Sequence, residues 1–112
     1  MKKTEIELKA EELAKKYGVP RVHIFTGEDE KGELIVGYMK EPTYIQKLVS
    51  LDKMATTGPF MAGNELREAI TLKEDSDPRT YDTNPDCDKY RLGMTSACIA
   101  ILEVYQNSYK KK

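Results

Sequence analysis

Lys40-Glu41-Pro42-Thr43-Tyr44-Ile45-Gln46 is the stretch at which the chain turns from strand to helix. Pro42 has no amide hydrogen to give a strand ladder, and Thr43 followed three residues later by Gln46 matches a capping box. A second register places Pro42 itself at the first helical position. Either way, the 112 residues divide here into a mixed front and a helical back.

Upstream of the junction, Arg21-Val22-His23-Ile24-Phe25-Thr26 and Glu33-Leu34-Ile35-Val36-Gly37-Tyr38-Met39-Lys40 are rich in β-branched and aromatic residues. The turn cluster Gly27-Glu28-Asp29-Glu30-Lys31-Gly32 separates them, so residues 21–40 read as an antiparallel hairpin. Alternation puts Val22 and Ile24 on one face and His23 and Phe25 on the other. Gly37 marks a bulge or a close backbone approach. A two-stranded hairpin is marginal by itself, so it has to pack on helices or extend another sheet. Further upstream, Ile6, Ala10, Leu13, Ala14 and Tyr17 recur at helical spacing and predict a helix over 4–17, ended by Gly18 and Pro20.

Downstream, Ile45, Leu48, Val49, Leu51 and Met54 supply the apolar positions of a helix over 43–56, which Thr56-Thr57-Gly58-Pro59 breaks. A shorter helix over 60–72 follows, with Phe60, Leu66, Ala69 and Ile70 inward. Gly63 weakens its first turn and makes Asn64 an alternative N-cap. Residues 74–88 are polar: Glu74, Asp75, Asp77, Asp82, Asp86 and Asp88 against Arg79 leave about five net negative charges. The loop proper spans 74–85. Asn84 as N-cap and Pro85 at the first position then open a helix over 86–109. Its stripe is Tyr90, Met94, Ala97, Cys98, Ile101 and Tyr105. The expected fold class is α+β, an N-terminal helix, an antiparallel β-hairpin and then three helices, in a single domain over 1–112.

The 18 basic and 19 acidic side chains leave a net charge of -1. That balance supplies no general field for nucleic acid or an anionic membrane. No apolar run approaches the roughly 18 residues of a membrane span. The basic start Met1-Lys2-Lys3-Thr4 has no apolar stretch behind it, so the expected location is the cytoplasm. Cys87 and Cys98, if both on one helix, are about 16 Å apart. That exceeds the roughly 4.4–6.8 Å of a disulfide. Two free thiols fit a reducing compartment, Cys98 as a small core residue and Cys87 at a loop or helix start.

Chemistry-bearing groups are sparse. Asp75 and Asp77 are spaced like the first calcium ligands of an EF-hand, but Arg79 stands at the third ligand position and Thr80 at the glycine position. The segment therefore reads as a solvated loop, in which Tyr81 among carboxylates offers an anchor for a basic partner surface. His23 has no nucleophile or orienting carboxylate beside it in the strand and reads as a surface or half-buried residue. Gly58-Pro59-Phe60-Met61-Ala62-Gly63 lacks the Lys-Ser/Thr of a phosphate loop. Met39, Met54, Met61 and Met94 read as core filling, and Lys110-Lys111-Lys112 as a solubilising tail. The expectation is a non-enzymatic protein with no catalytic, cofactor-binding or metal-binding residues.

The run Glu33-Leu34-Ile35-Val36-Gly37-Tyr38-Met39-Lys40-Glu41-Pro42-Thr43, followed by an all-helical region, resembles the tail assembly chaperones of tailed bacteriophages. In that family a hairpin ends in an aromatic or aliphatic residue, a basic residue and then (Glu/Lys)-Pro-Thr. The order of elements matches over about 21–109. The charged helix at 4–17 and the acidic loop depart from the pattern. The resemblance implies a helper protein in the host cytoplasm that binds the tape-measure protein and is absent from the finished particle. Such a protein needs exposed apolar helix faces, here Tyr44, Leu48, Leu51 and Met54. The other reading is a small structural or adaptor protein that binds copies of itself through its hairpin edge or helical faces.

Overall fold

A computed structural model describes residues 3–110. Met1 and Lys2, and Lys111 and Lys112 of the expected tail, lie outside the described residues. The elements are α1 (Lys3–Tyr17), β1 (Val22–Glu28), β2 (Leu34–Lys40), α2 (Tyr44–Thr56), α3 (Pro59–Ile70) and α4 (Asp88–Lys110). This is the α+β order read from the sequence.

Each boundary has a local cause. Gly18, at φ 65°, ends α1. Its amide reaches Lys15 O at 3.3 Å while Val19 N reaches Ala14 O at 3.0 Å, the two bonds of a Schellman cap. Thr43 Oγ1 accepts from Gln46 N at 3.2 Å, and Gln46 Oε1 accepts from Thr43 N at 2.9 Å. The capping box is thus complete, and Pro42 precedes the cap rather than opening the helix. α3 begins at Pro59, after Gly58 at φ 108°, so Asn64 is not its N-cap. Asn84 caps a 3-10 turn over Pro85–Cys87, which runs straight into α4.

The hairpin pairs without interruption from Val22 opposite Lys40 to Glu28 opposite Leu34. Gly37 is therefore no bulge. A Cβ there would lie 2.5 Å from Met94 Sδ, so the close approach is to a core side chain of α4. Alternation sends the two faces of the sheet into two cores. Val22 and Tyr38 join Ile6, Ala10 and Leu13 of α1, together with Leu72. Met39, with Phe25 packed beside it, joins Leu66, Ile70, Met94, Cys98 and Leu102. Burying a residue of this size contributes about 1.5–3 kcal/mol. The hairpin gains its stability by being the middle layer between α1 and the other three helices.

α3 meets α4 through Ala62 and Gly63, where a Cβ on Gly63 would stand 2.9 Å from Thr95 O. Helices this close leave no room for a ring, and Phe60, expected inward, is exposed, as is Ala69. Leu66 and Ile70 are buried as expected.

The acidic segment departs furthest from expectation. Its first part, 71–77, is a cover along the outer edge of β2, while 82–86 stand in solvent as expected. Leu72 N donates to Tyr38 O at 2.8 Å, Asp77 N to Val36 O at 2.9 Å, and Tyr38 N to Ser76 Oγ at 2.9 Å. The buried amides and carbonyls of β2 need partners, and this segment supplies them. Arg79 then clamps it to the hairpin loop, with Nη2 2.9 Å from Asp77 Oδ2 and Nη1 3.2 Å from Asp29 Oδ2.

Candidate functional site

α2 packs on α3 and α4 along one side, and its outer side carries apolar residues into solvent. Tyr44 is 73% exposed, Ile45 64%, Val49 51% and Leu48 42%, while the helix buries Ser50. Tyr44 and Leu48, like Ile45 and Val49, stand four residues apart, so two adjacent rows form one apolar face. A shallow groove of about 140 Å³ runs beside it, lined by Ile45, Val49, Leu66 and Ala69 among others. Phe60 and Met61, at the start of α3, are exposed as well. An ion pair between Lys53 and Glu65 ties α2 to α3.

The expected partner-binding residues therefore divide. Tyr44 and Leu48 lie on this open face. Leu51 and Met54 are half-buried against the larger core, because they point at α3 and α4. Tyr81 stands apart on the segment covering β2, half-buried, with Lys73 Nζ 5.6 Å from its ring centre. Ile45 and Val49, read from the sequence only as apolar positions of this helix, complete the face. The helical period locates a stripe but does not say which of two apolar stripes turns inward.

Below the start of α2 lies a polar cluster that no local pattern announces. The Glu41 side chain is 5% exposed. His23 Nε2 is 2.6 Å from its Oε1, Lys47 Nζ 2.9 Å and Arg21 Nη1 3.1 Å from its Oε2, and the Tyr105 hydroxyl donates to the same carboxylate. Burial pushes the Glu41 carboxyl up. Hydrogen bonds from Tyr105, His23 and Lys47, with the Lys47 charge, outweigh it and bring the group down to about 2. The expectation that His23 lacks an orienting carboxylate is thereby corrected: folding brings Glu41 to it from 18 residues away.

A carboxylate held that low is a weak base, and its oxygens are already occupied. The cluster joins β1, the junction, α2 and α4. Its effect is to hold the outer face of α2 at a set angle to the sheet.

The remaining candidates resolve simply. Cys87 and Cys98 are free and buried, and burial pushes the Cys98 thiol up to about 12. Asp77 is held below its ordinary value chiefly by its hydrogen bond from Arg79. Among the described residues, no three His, Cys, Asp or Glu side chains are grouped to hold a metal ion. No helix of the described residues is long and apolar enough to cross a membrane. Against family models, curated proteins and solved structures, the chain finds no match.

Proposed function

We propose that this chain is a non-enzymatic protein-binding protein that covers the apolar stripe of a partner's helix with the outer face of α2. The observation that carries the reading is the exposure of Tyr44, Ile45, Leu48 and Val49 on a helix whose inward side is already packed. An apolar face of this kind is the complement of an amphipathic helix, recognised through anchors at i and i+4. Within this class, the resemblance at Lys40-Glu41-Pro42-Thr43 favours a phage tail assembly chaperone, with the tape-measure protein as partner. A long helical partner with repeated apolar stripes needs many such covers before it assembles.

The test begins with gene neighbourhood. A tape-measure gene immediately downstream supports the chaperone reading, and the two products then co-purify through Ile45 and Val49. An operon of metabolic genes sinks it. A complex that survives Ile45→Glu with Val49→Glu removes the α2 face from the reading altogether.

One observation favours the adaptor reading in which the chain binds itself. The segment 71–77 covers the outer edge of β2, whereas no backbone hydrogen bond among the described residues covers the outer edge of β1. Light scattering on the isolated protein separates the two. A concentration-dependent dimer that Thr26→Pro abolishes supports strand addition, and a monomer at all concentrations excludes it.

A further inference from the structure

The two strands of the hairpin meet different surroundings at their outer edges. Arg21 O accepts from Glu41 N at 3.1 Å, and Asp29 N donates to Glu33 O at 3.0 Å. With the uninterrupted register between these pairs, the odd-numbered residues of β1 turn their backbone groups to β2. The amides and carbonyls of Ile24, Thr26 and Glu28 therefore point outward. The same parity holds in β2, where the outward groups of Val36 and Tyr38 are bonded by Leu72, Ser76 and Asp77. No hydrogen bond among the described residues reaches the outward groups of β1.

The strand also lacks the usual guards of a free edge: Val22–Glu28 contains no proline, lysine or bulge. Val22 is buried at one end, but Ile24 is half-buried and Thr26 and Glu28 are exposed. Beside this open stretch lies an apolar pocket of about 480 Å³ between α1 and the hairpin, lined by Ile6, Glu7, Ile24, Thr26 and Leu34. Side chains alternate along a strand, so Ile24, Thr26 and Glu28 stand together on the α1 side. Glu28 pairs directly with Leu34 of the lining. With exposed Glu7 it makes this corner acidic.

We propose that the outer edge of β1 takes up an extended segment of another protein, one that carries a large apolar side chain and, two residues away, a lysine or arginine. Added as a third strand, such a segment bonds the outward groups of Ile24, Thr26 and Glu28. Its apolar side chain, on the α1 side, enters the pocket, which has room for an aromatic ring. The next side chain on that side is two residues further on and meets Glu7 and Glu28, hence the basic charge. A second copy of this chain fits less well. On that side its β1 offers Val22, Ile24, Thr26 and Glu28, which bring a further acid and no cation. The inference does not depend on the α2 face, and it gives the edge of the self-binding reading a different occupant.

The test is a titration of the isotopically labelled full chain with the peptide Thr-Val-Thr-Phe-Thr-Lys-Thr, and with the same peptide carrying glutamate for lysine. Amide resonances are followed by NMR, and amide exchange is measured at saturation. The expected result is a saturable shift centred on Ile24, Thr26 and Glu28, with slower exchange of the Ile24 and Thr26 amides. The glutamate peptide binds roughly fivefold more weakly. Thr26→Pro removes one outward N–H, leaves the bonds to β2 in place and abolishes binding. Glu7→Lys, an exposed change on α1, reverses the preference between the two peptides. The proposal is overturned if neither peptide shifts these resonances, if the shifts fall on α2 instead, or if both peptides bind alike. It is equally overturned if the free chain already protects Ile24 and Thr26 in a concentration-dependent dimer, which makes a second copy the occupant. Should Thr26→Pro fail to fold, Glu7→Lys decides by itself.

Discussion

Residues 71–87 are strongly polar, yet Ser76 and Thr80 among them are buried and Arg79 is locked to two carboxylates. α2 is the reverse, with four large apolar side chains in solvent and a serine inside. The contrast shows that backbone demand and helix geometry decide burial here as much as side-chain polarity does. β2 is covered on both faces, so the groups along its outer edge need hydrogen bonds, and short polar side chains deliver them. α2 touches the domain along one side only, and a helix with two apolar stripes leaves one outside. The polar residues at the β2 edge and the junction should therefore be costly to remove, and the apolar residues of α2 cheap.

Glu41 gives the largest expected effect. Its carboxyl titrates at about 2 in the folded protein against an ordinary 4.5. At about 1.4 kcal/mol per pH unit this corresponds to ~3 kcal/mol of stability. Because the folded value is the lower one, this stability is present in full above about pH 5 and is lost as the pH falls through 4.5 towards 2. Urea unfolding should show Glu41→Gln about 3 kcal/mol less stable than the wild type at pH 7, with the gap closing towards pH 2. A gap that stays constant with pH would remove the carboxylate from the comparison.

Ser76→Ala comes next. It leaves the Tyr38 amide buried and unpaired, for an expected loss of about 2 kcal/mol in the same assay. If the loss is negligible, the segment is a bystander to the β2 edge. Arg79→Ala releases the clamp on Asp77 and Asp29. The arginine side chain is about one-third exposed, so solvent screening limits the loss to about 1 kcal/mol. Amide exchange should quicken at Asp77 and Leu72 in this variant before it changes in α4. Smallest of all, Ile45→Ser with Val49→Ser should leave the unfolding midpoint within about 0.5 kcal/mol of the wild type. A loss several times larger would mean that the α2 face is part of the core.

The local signals in the sequence proved reliable where one short window contained the whole cause. Thr43 with Gln46, Asn84 before Pro85, and Gly18 after Tyr17 each place an element boundary through hydrogen bonds that span five residues or fewer. The strand faces were legible too, because a period of two admits no other arrangement: Val22 and Phe25 enter different cores. The Glu41 cluster was not legible. Its members at 21, 23, 41, 47 and 105 belong to four separate stretches, and no window contains two of its elements in their folded relation. Arg67 was hidden for a similar reason, since an arginine at that spacing looks like an ordinary solvated position until α4 closes over it.

The sequence by itself determined the kind and order of the elements, their caps and the two faces of the hairpin, because those follow from backbone chemistry within a few residues. Only the tertiary structure decided which apolar stripe of α2 faces solvent, that residues 71–77 lie along the outer edge of β2, and that Arg67 is enclosed. Those outcomes depend on which surfaces are already occupied when the layers pack, a property of the whole chain rather than of any stretch within it.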